Sequence, residues 1–141
     1  MDTFKQYLTE DTDDIVSFDF DSTISMPEWD KEEGDYVRDN DGMEVATLNE
    51  EIAQKIKEYK ENGYTVYLIT SRYDIWRDET EQFLKDHNLL QYFDDVIFTN
   101  GAWKAQTCKR KGVKIHYDDD IEELRRLKYK GIKGIRVGEL G

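Results

Sequence analysis

Cysteine and proline are almost missing from this sequence. A single cysteine, Cys108, in 141 residues excludes an internal disulfide framework and any cysteine-built zinc cluster. A single proline, Pro27, leaves no proline-rich linker at which the chain could divide, and no repeat or low-complexity tract marks a boundary. At this length one domain over residues 1–141 is expected, since domains typically run to about 100–200 residues. Apolar runs fall far short of the roughly 18 residues that a membrane span requires. Met1-Asp2-Thr3-Phe4-Lys5 has neither the basic region nor the apolar stretch of a secretory signal. A soluble cytoplasmic protein with no membrane partner is the expectation. Leu, Ile, Val and Phe are few as well, 33 residues in all, but 18 aromatic residues add bulk for a folded core.

Positive charge is also scarce: 20 Lys and Arg face 32 Asp and Glu, a net charge of −12. Residues 1–100 hold 26 acids and 9 bases, whereas residues 101–141 hold 6 acids and 11 bases. The C-terminal bases are spread through periodic segments, which reads as a solvated helix face rather than a basic arm. A field of this sign repels polyanions, so tight binding to long nucleic acid is disfavoured.

Strand-like and helix-like stretches alternate, the pattern of βαβ units around a parallel sheet. Strands are expected at 14–20, 64–70, 96–99, 113–117 and 134–137. Helices are expected from a capping box at Thr47-Leu48-Asn49-Glu50 to Gly63, at about 75–87, at about 102–111 and at about 121–130. The fold class is α/β, a three-layer Rossmann-like sandwich with a central parallel sheet of about five strands. About 25 residues separate the first strand from the first helix, more than a βα loop needs. Within this insertion (about 24–47), Asp39-Asn40-Asp41-Gly42 is turn chemistry between 35–38 and 43–46, predicting a β-hairpin flap. The same four residues fail as a calcium loop, because Val37 and Leu48 would occupy the first and twelfth ligand positions.

Open parallel sheets bind ligands at the carboxyl ends of their strands. There the sequence places Asp19-Phe20-Asp21-Ser22-Thr23, then Thr70-Ser71-Arg72, then Asp118-Asp119-Asp120, with Lys104 opening the helix after the third strand. Several carboxylates in one crevice call for a cation, and an all-oxygen set suits Mg²⁺.

On these residues the sequence resembles the haloacid dehalogenase (HAD) superfamily, within it the aspartate-nucleophile phosphatases without a large cap domain. Asp19-Phe20-Asp21-Ser22-Thr23 is similar to the first motif, Asp-x-Asp-x-Thr. Thr70 is similar to the second, Lys104 to the third and Asp118-Asp119 to the fourth, in family order over about residues 14–120. The resemblance implies a HAD-like fold and a Mg²⁺-dependent phosphomonoester hydrolase working through an aspartyl-phosphate. It implies Asp19 as nucleophile and Asp21 as general acid and base. Thr70 and Lys104 would bind the phosphoryl oxygens, with Ser71 and Arg72 also at the substrate. The metal would be held by Asp19, Asp21, Asp118 and Asp119, Asp21 through its carbonyl, and Asp119 would orient Lys104 or a metal-bound water. Lys109 competes with Lys104 for the lysine role. His87, His116 and Cys108 read as structural, and Asp120 as a helix cap.

The substrate is expected to be a small phosphomonoester. Trp29, Tyr36 and Met43 on the flap, with Arg72, Tyr73, Trp76 and Arg77, lean toward a nucleotide. Residues 70–84 also resemble phage-type polynucleotide 3′-phosphatase domains and 5′(3′)-deoxyribonucleotidases, so a polynucleotide 3′-phosphatase stays open. So does a non-catalytic phosphate-binding or regulatory module on the same fold. Residues 28–44 carry eight acids and two bases, a flap that discourages long polyanions.

Overall fold

A computed structural model describes residues 14–138. The stretch Met1–Lys5, read above for a secretory signal, lies outside them. In chain order the elements are β1 (Ile15–Phe18), β2 (Ser25–Pro27), β3 (Trp29–Asp30), β4 (Asp35–Tyr36), β5 (Ala46–Leu48), α1 (Glu50–Glu61), β6 (Thr65–Thr70), α2 (Arg77–Asp86), β7 (Asp95–Phe98), α3 (Lys104–Arg110), β8 (Ile115–Asp118), α4 (Ile121–Tyr129) and β9 (Lys133–Arg136). A 3₁₀ turn, Asp74–Trp76, leads into α2. Among the described residues no helix is long and apolar enough to cross a membrane.

Five strands form one parallel sheet in the order β7-β6-β1-β8-β9. From central β1 the chain moves outward through β6 and β7, then returns to lay β8 and β9 on the other side. That reversal opens a crevice at the carboxyl ends of β1, β6 and β8. The period of two divides the strands between two cores. Val16, Phe18, Val66, Leu68 and Tyr117 face Ile52, Ala53 and Ile56 of α1 and Leu84 of α2. Ile15 and Ile69 face Ala105 and Cys108 of α3 and Leu127 of α4. Phe18 stacks on Tyr117 with ring centroids 4.7 Å apart, and the Tyr117 hydroxyl meets that of Tyr59 at 2.8 Å. Each fully buried large apolar side chain of this kind stabilises the fold by roughly 1.5–3 kcal/mol.

Two local expectations are corrected. The first helix does not open on a capping box at Thr47. Thr47 lies in β5, opposite Met26 of β2, and this antiparallel pairing keeps the backbone extended through Leu48. Asn49 is the cap, its side chain accepting from the Ile52 N–H at 3.3 Å. At the other end Gly63, at φ +86°, takes the left-handed conformation that closes α1. The flap is also more than the 35–46 hairpin. Its base is β2 paired with β5, and Asp35-Tyr36 pairs back onto Trp29-Asp30 rather than across the Asp39–Gly42 turn. That turn survives at the tip, held by an Arg38–Glu44 bridge and by the Asp39 N–H on the Met43 carbonyl at 2.8 Å.

Candidate active site

Asp19 follows β1, its backbone N–H bonded to the Tyr117 carbonyl at 2.9 Å, and its side chain is buried. Behind it the chain turns sharply: Ser22 has φ +62°, and the N–H groups of Ile24 and Ser25 both reach the Phe20 carbonyl. This turn returns Thr23 beneath the strand end, where its hydroxyl donates to Asp19 Oδ2 at 3.3 Å. Asp21, on the outside of the turn, is part-exposed.

Lys104 starts α3 and is buried. Its ammonium lies 2.8 Å from Asp19 Oδ1 and 2.8 Å from Asp118 Oδ2. Its backbone N–H donates to Glu123 Oε1 at 3.0 Å, which ties the start of α3 to α4. The connection that delivers it turns through Asn100 and Gly101 at φ +55° and +87°. The Gly101 N–H bonds the Ser71 carbonyl at 2.8 Å, and Tyr73 packs so close that a Cβ at Gly101 would sit 2.8 Å from its hydroxyl. Lys109, the rival lysine, is exposed with its ammonium near the Lys130 carbonyl.

Asp118 ends β8 and is fully buried. Oδ2 accepts from Lys104 and from His116 Nε2 at 2.8 Å, and Oδ1 accepts from the Asp120 N–H at 3.0 Å. Asp120 caps α4, as expected, accepting from Glu122 N–H at 2.8 Å. Asp19, Asp118 and Asp119 each offer one carboxylate oxygen within 4.8 Å of the others. Such a set of hard oxygens matches a hard divalent cation. The Asp21 side chain is not part of that cluster.

Burial and charge act against each other here. Burial pushes the Asp19 carboxyl well above its ordinary range, against the pull of Lys104 and with the Asp118 charge adding to it. Burial also opposes ionisation of Asp118, but the His116 hydrogen bond and the Lys104 charge outweigh it and hold that carboxyl low. Burial disfavours the Lys104 ammonium too, yet Asp19 and Asp118 together hold it above its usual value. Burial lowers the basicity of His116 and pushes the Cys108 thiol up to about 12.

Thr70 closes β6, fully buried, with its hydroxyl accepting from the Arg72 N–H at 3.2 Å; Ser71 next to it is exposed. Arg72 has a partner that the sequence did not indicate. Its guanidinium binds Asp21 through Nε at 3.0 Å and Nη2 at 2.9 Å, reaches Thr80 through Nη1 at 3.0 Å, and lies 4.8 Å from the Phe20 ring centroid. It thus clamps Asp21 while also lining the cleft beside it.

Beside Asp21 a cleft of about 540 Å³ opens between the flap and the approach to α2. Phe20, Met43, Tyr73, Trp76 and Phe83 line it together with the charged Arg38, Glu44, Arg72 and Glu79. Of the aromatic residues singled out from the sequence, Trp29 and Tyr36 pack on each other at 5.0 Å, and neither lines this cleft. Arg77 lies over Phe98 at 4.6 Å and pairs with Glu81.

Sequence reasoning did not single out Ser17 or Glu123 and read His116 as structural; all three are buried in this network. A signal existed for two of them. Ser17 and His116 precede Asp19 and Asp118 by two residues, which on extended backbone puts each on its aspartate's face of the sheet.

No protein-family model matches the chain, and no curated protein matches it. Solved structures do. A chain in the Pnkp1/Rnl/Hen1 RNA repair complex is 24% identical over 87% of this chain, with a TM-score of 0.63. This sequence spans only 42% of that chain. The fold here is the haloacid dehalogenase fold. A putative beta-phosphoglucomutase from Thermotoga maritima gives a TM-score of 0.64 at 14% identity, covering 91% of this chain and 87% of that one. A HAD-superfamily hydrolase from Ehrlichia chaffeensis gives 0.59 at 13% identity, covering 88% and 87%. The parallel five-stranded sheet flanked by helices is the feature this HAD-like chain shares with them.

Proposed function

We propose that this chain is a Mg²⁺-dependent phosphomonoester hydrolase that works through an aspartyl-phosphate on a small phosphomonoester, a nucleotide in particular. The observation that carries the reading is the buried Asp19 with Lys104 at 2.8 Å, grouped with Asp118 and Asp119 and next in line to the exposed-side Asp21. Asp19 attacks phosphorus, and the bond from phosphorus to the leaving oxygen breaks as Asp21 delivers a proton to that oxygen. Water then attacks the phosphorylated Asp19 and yields its proton to Asp21; the bond between phosphorus and Asp19 breaks, freeing phosphate. Lys104 and Thr70 bind the equatorial oxygens, over which charge spreads in the transition state. The side chains of Asp19, Asp118 and Asp119 and the Asp21 carbonyl would hold Mg²⁺. When bound, it offsets the repulsion between carboxylate and phosphate. Asp119 would orient Lys104 or a metal-bound water.

Support for a nucleotide comes from the cleft. It adjoins Asp21, the proposed proton donor to the leaving group, and its exposed Trp76 and Tyr73 could stack on a planar base. A 3′-phosphorylated nucleic-acid end is the competing substrate, and the likeness to a chain of an RNA repair complex fits it without favouring it. The acidic flap weighs against a long polyanion.

Hydrolysis of p-nitrophenyl phosphate with Mg²⁺ tests the chemistry. EDTA and Asp19→Asn should each abolish it; activity that survives either change overturns the mechanism. Absence of a thermal shift with beryllofluoride and Mg²⁺ would favour the non-catalytic alternative. A 3′-nucleotide set against a 3′-phosphorylated oligonucleotide separates the two substrates, strong salt sensitivity being expected only of the second.

A further inference from the structure

Ser17 and His116 are register partners on adjacent parallel strands β1 and β8, and both are fully buried. The Ser17 hydroxyl lies 2.6 Å from His116 Nδ1, and His116 Nε2 lies 2.8 Å from Asp118 Oδ2. An ionised carboxylate only accepts, so Nε2 carries the imidazole proton and donates it to Asp118. Nδ1 is then left as an acceptor for the Ser17 hydroxyl. Cys108 Sγ stands 3.8 Å behind that hydroxyl, on the α3 face it shares with Lys104. The line of contacts thus runs inward from Asp118 to Ser17, through the core between the sheet and α3.

Two donors share Asp118 Oδ2, and their duties differ. Lys104 is divided between Asp118 and Asp19, and on the reading above it is the group that would turn to a phosphoryl oxygen of the substrate. His116 bonds Asp118 on one side and Ser17 on the other, with no part in substrate binding. Its hold on Oδ2 persists as Lys104 shifts, while the Asp120 N–H fixes Oδ1. Resting on the metal-dependent reading above, we infer that His116, oriented by Ser17, is a positioning residue that aims the Asp118 carboxylate at the metal. The carboxylate needs that hold because, among the described residues, it has no other side-chain donor once Lys104 moves, and a rotated Asp118 would leave the set of three oxygens incomplete.

Calorimetric titration of the protein with Mg²⁺, without substrate, tests this, alongside thermal melts in EDTA. His116→Phe keeps the bulk of the ring and removes the donor. It should weaken Mg²⁺ binding by roughly 10–100-fold, the usual effect of losing a ligand's outer hydrogen bond. His116→Gln restores an N–H donor and should recover part of that loss. Ser17→Ala should weaken binding at the lower end of the same range. A purely structural role would lower the melting temperature of all three and leave Mg²⁺ affinity unchanged, which would overturn the inference. If His116→Phe does not fold, Ser17→Ala decides, wild-type affinity counting against the proposal. Failure of the wild-type protein to bind Mg²⁺ would instead overturn the metal-dependent reading itself, so the two failures are distinguishable.

Discussion

Arg72 grips both carboxylate oxygens of Asp21, with Nε on Oδ2 at 3.0 Å and Nη2 on Oδ1 at 2.9 Å. Thr80 and the face of Phe20 hold the guanidinium in turn, and the Thr80 hydroxyl donates to the Trp76 carbonyl at 2.8 Å. The carboxylate proposed as general base, and as general acid once protonated, is therefore oriented by a fork rooted in the 3₁₀ turn and α2. Arg72→Ala should cut kcat on p-nitrophenyl phosphate by about 10²-fold, the scale of misplacing a catalytic group. Arg72→Lys should not rescue it, because an ammonium cannot reproduce the bidentate grip. Mg²⁺ affinity should be unchanged in both. An Arg72→Lys variant with wild-type kcat would show that the grip is dispensable.

Lys104 stands where a cation is wanted, between Asp19 and Asp118. The metal and the ammonium therefore draw on the same two carboxylates. Lys104→Met should lower the melting temperature in EDTA, because buried carboxylates lose their partner. It should also tighten Mg²⁺ by roughly tenfold or more, since a like charge a few ångströms away is removed. Turnover should still fall by about 10²–10³-fold, for want of a donor to the phosphoryl oxygens. Calorimetry and steady-state kinetics on one preparation read both effects.

Trp76 is exposed and lines the cleft, as does Met43 on the flap. Base stacking contributes about 1–3 kcal/mol per base. Trp76→Ala should therefore raise KM for a 3′-nucleotide by roughly tenfold or more, with little change for glycerol phosphate. An equal loss on both substrates would mean that Trp76 supports the fold rather than the leaving group.

The cap of α1 is tested by stability. Asn49→Ala should cost about 1 kcal/mol in urea unfolding, the usual loss for an N-cap. Thr47→Ala, exposed in β5, should cost less. The reverse order would restore the capping box that the sequence pattern suggests.

Alternation of apolar and helical periods was enough to show the α/β class, the five parallel strands and the ligand-bearing strand ends. Val16 and Phe18 on one face, with Ile15 and Ser17 on the other, is a pattern of period two that local chemistry dictates. That Asp19, Thr70, Lys104 and Asp118 would stand at strand ends or a helix start was legible because each sits at the edge of a segment whose period ends there, while the roles proposed for them and for Asp21 came from the resemblance. Tertiary structure alone decided how those side chains pair. Arg72 on Asp21 spans 51 positions, Lys104 on Asp19 spans 85, and Ser17 on His116 spans 99. No periodicity reports such partners, because the sheet order that brings them together is set by which faces bury which helices. The flap shows the same limit. Asp39–Gly42 signals a turn, but β2–β5 and β3–β4 pairing chose the register, since backbone hydrogen bonds between strands depend on which strand lies alongside and not on local sequence.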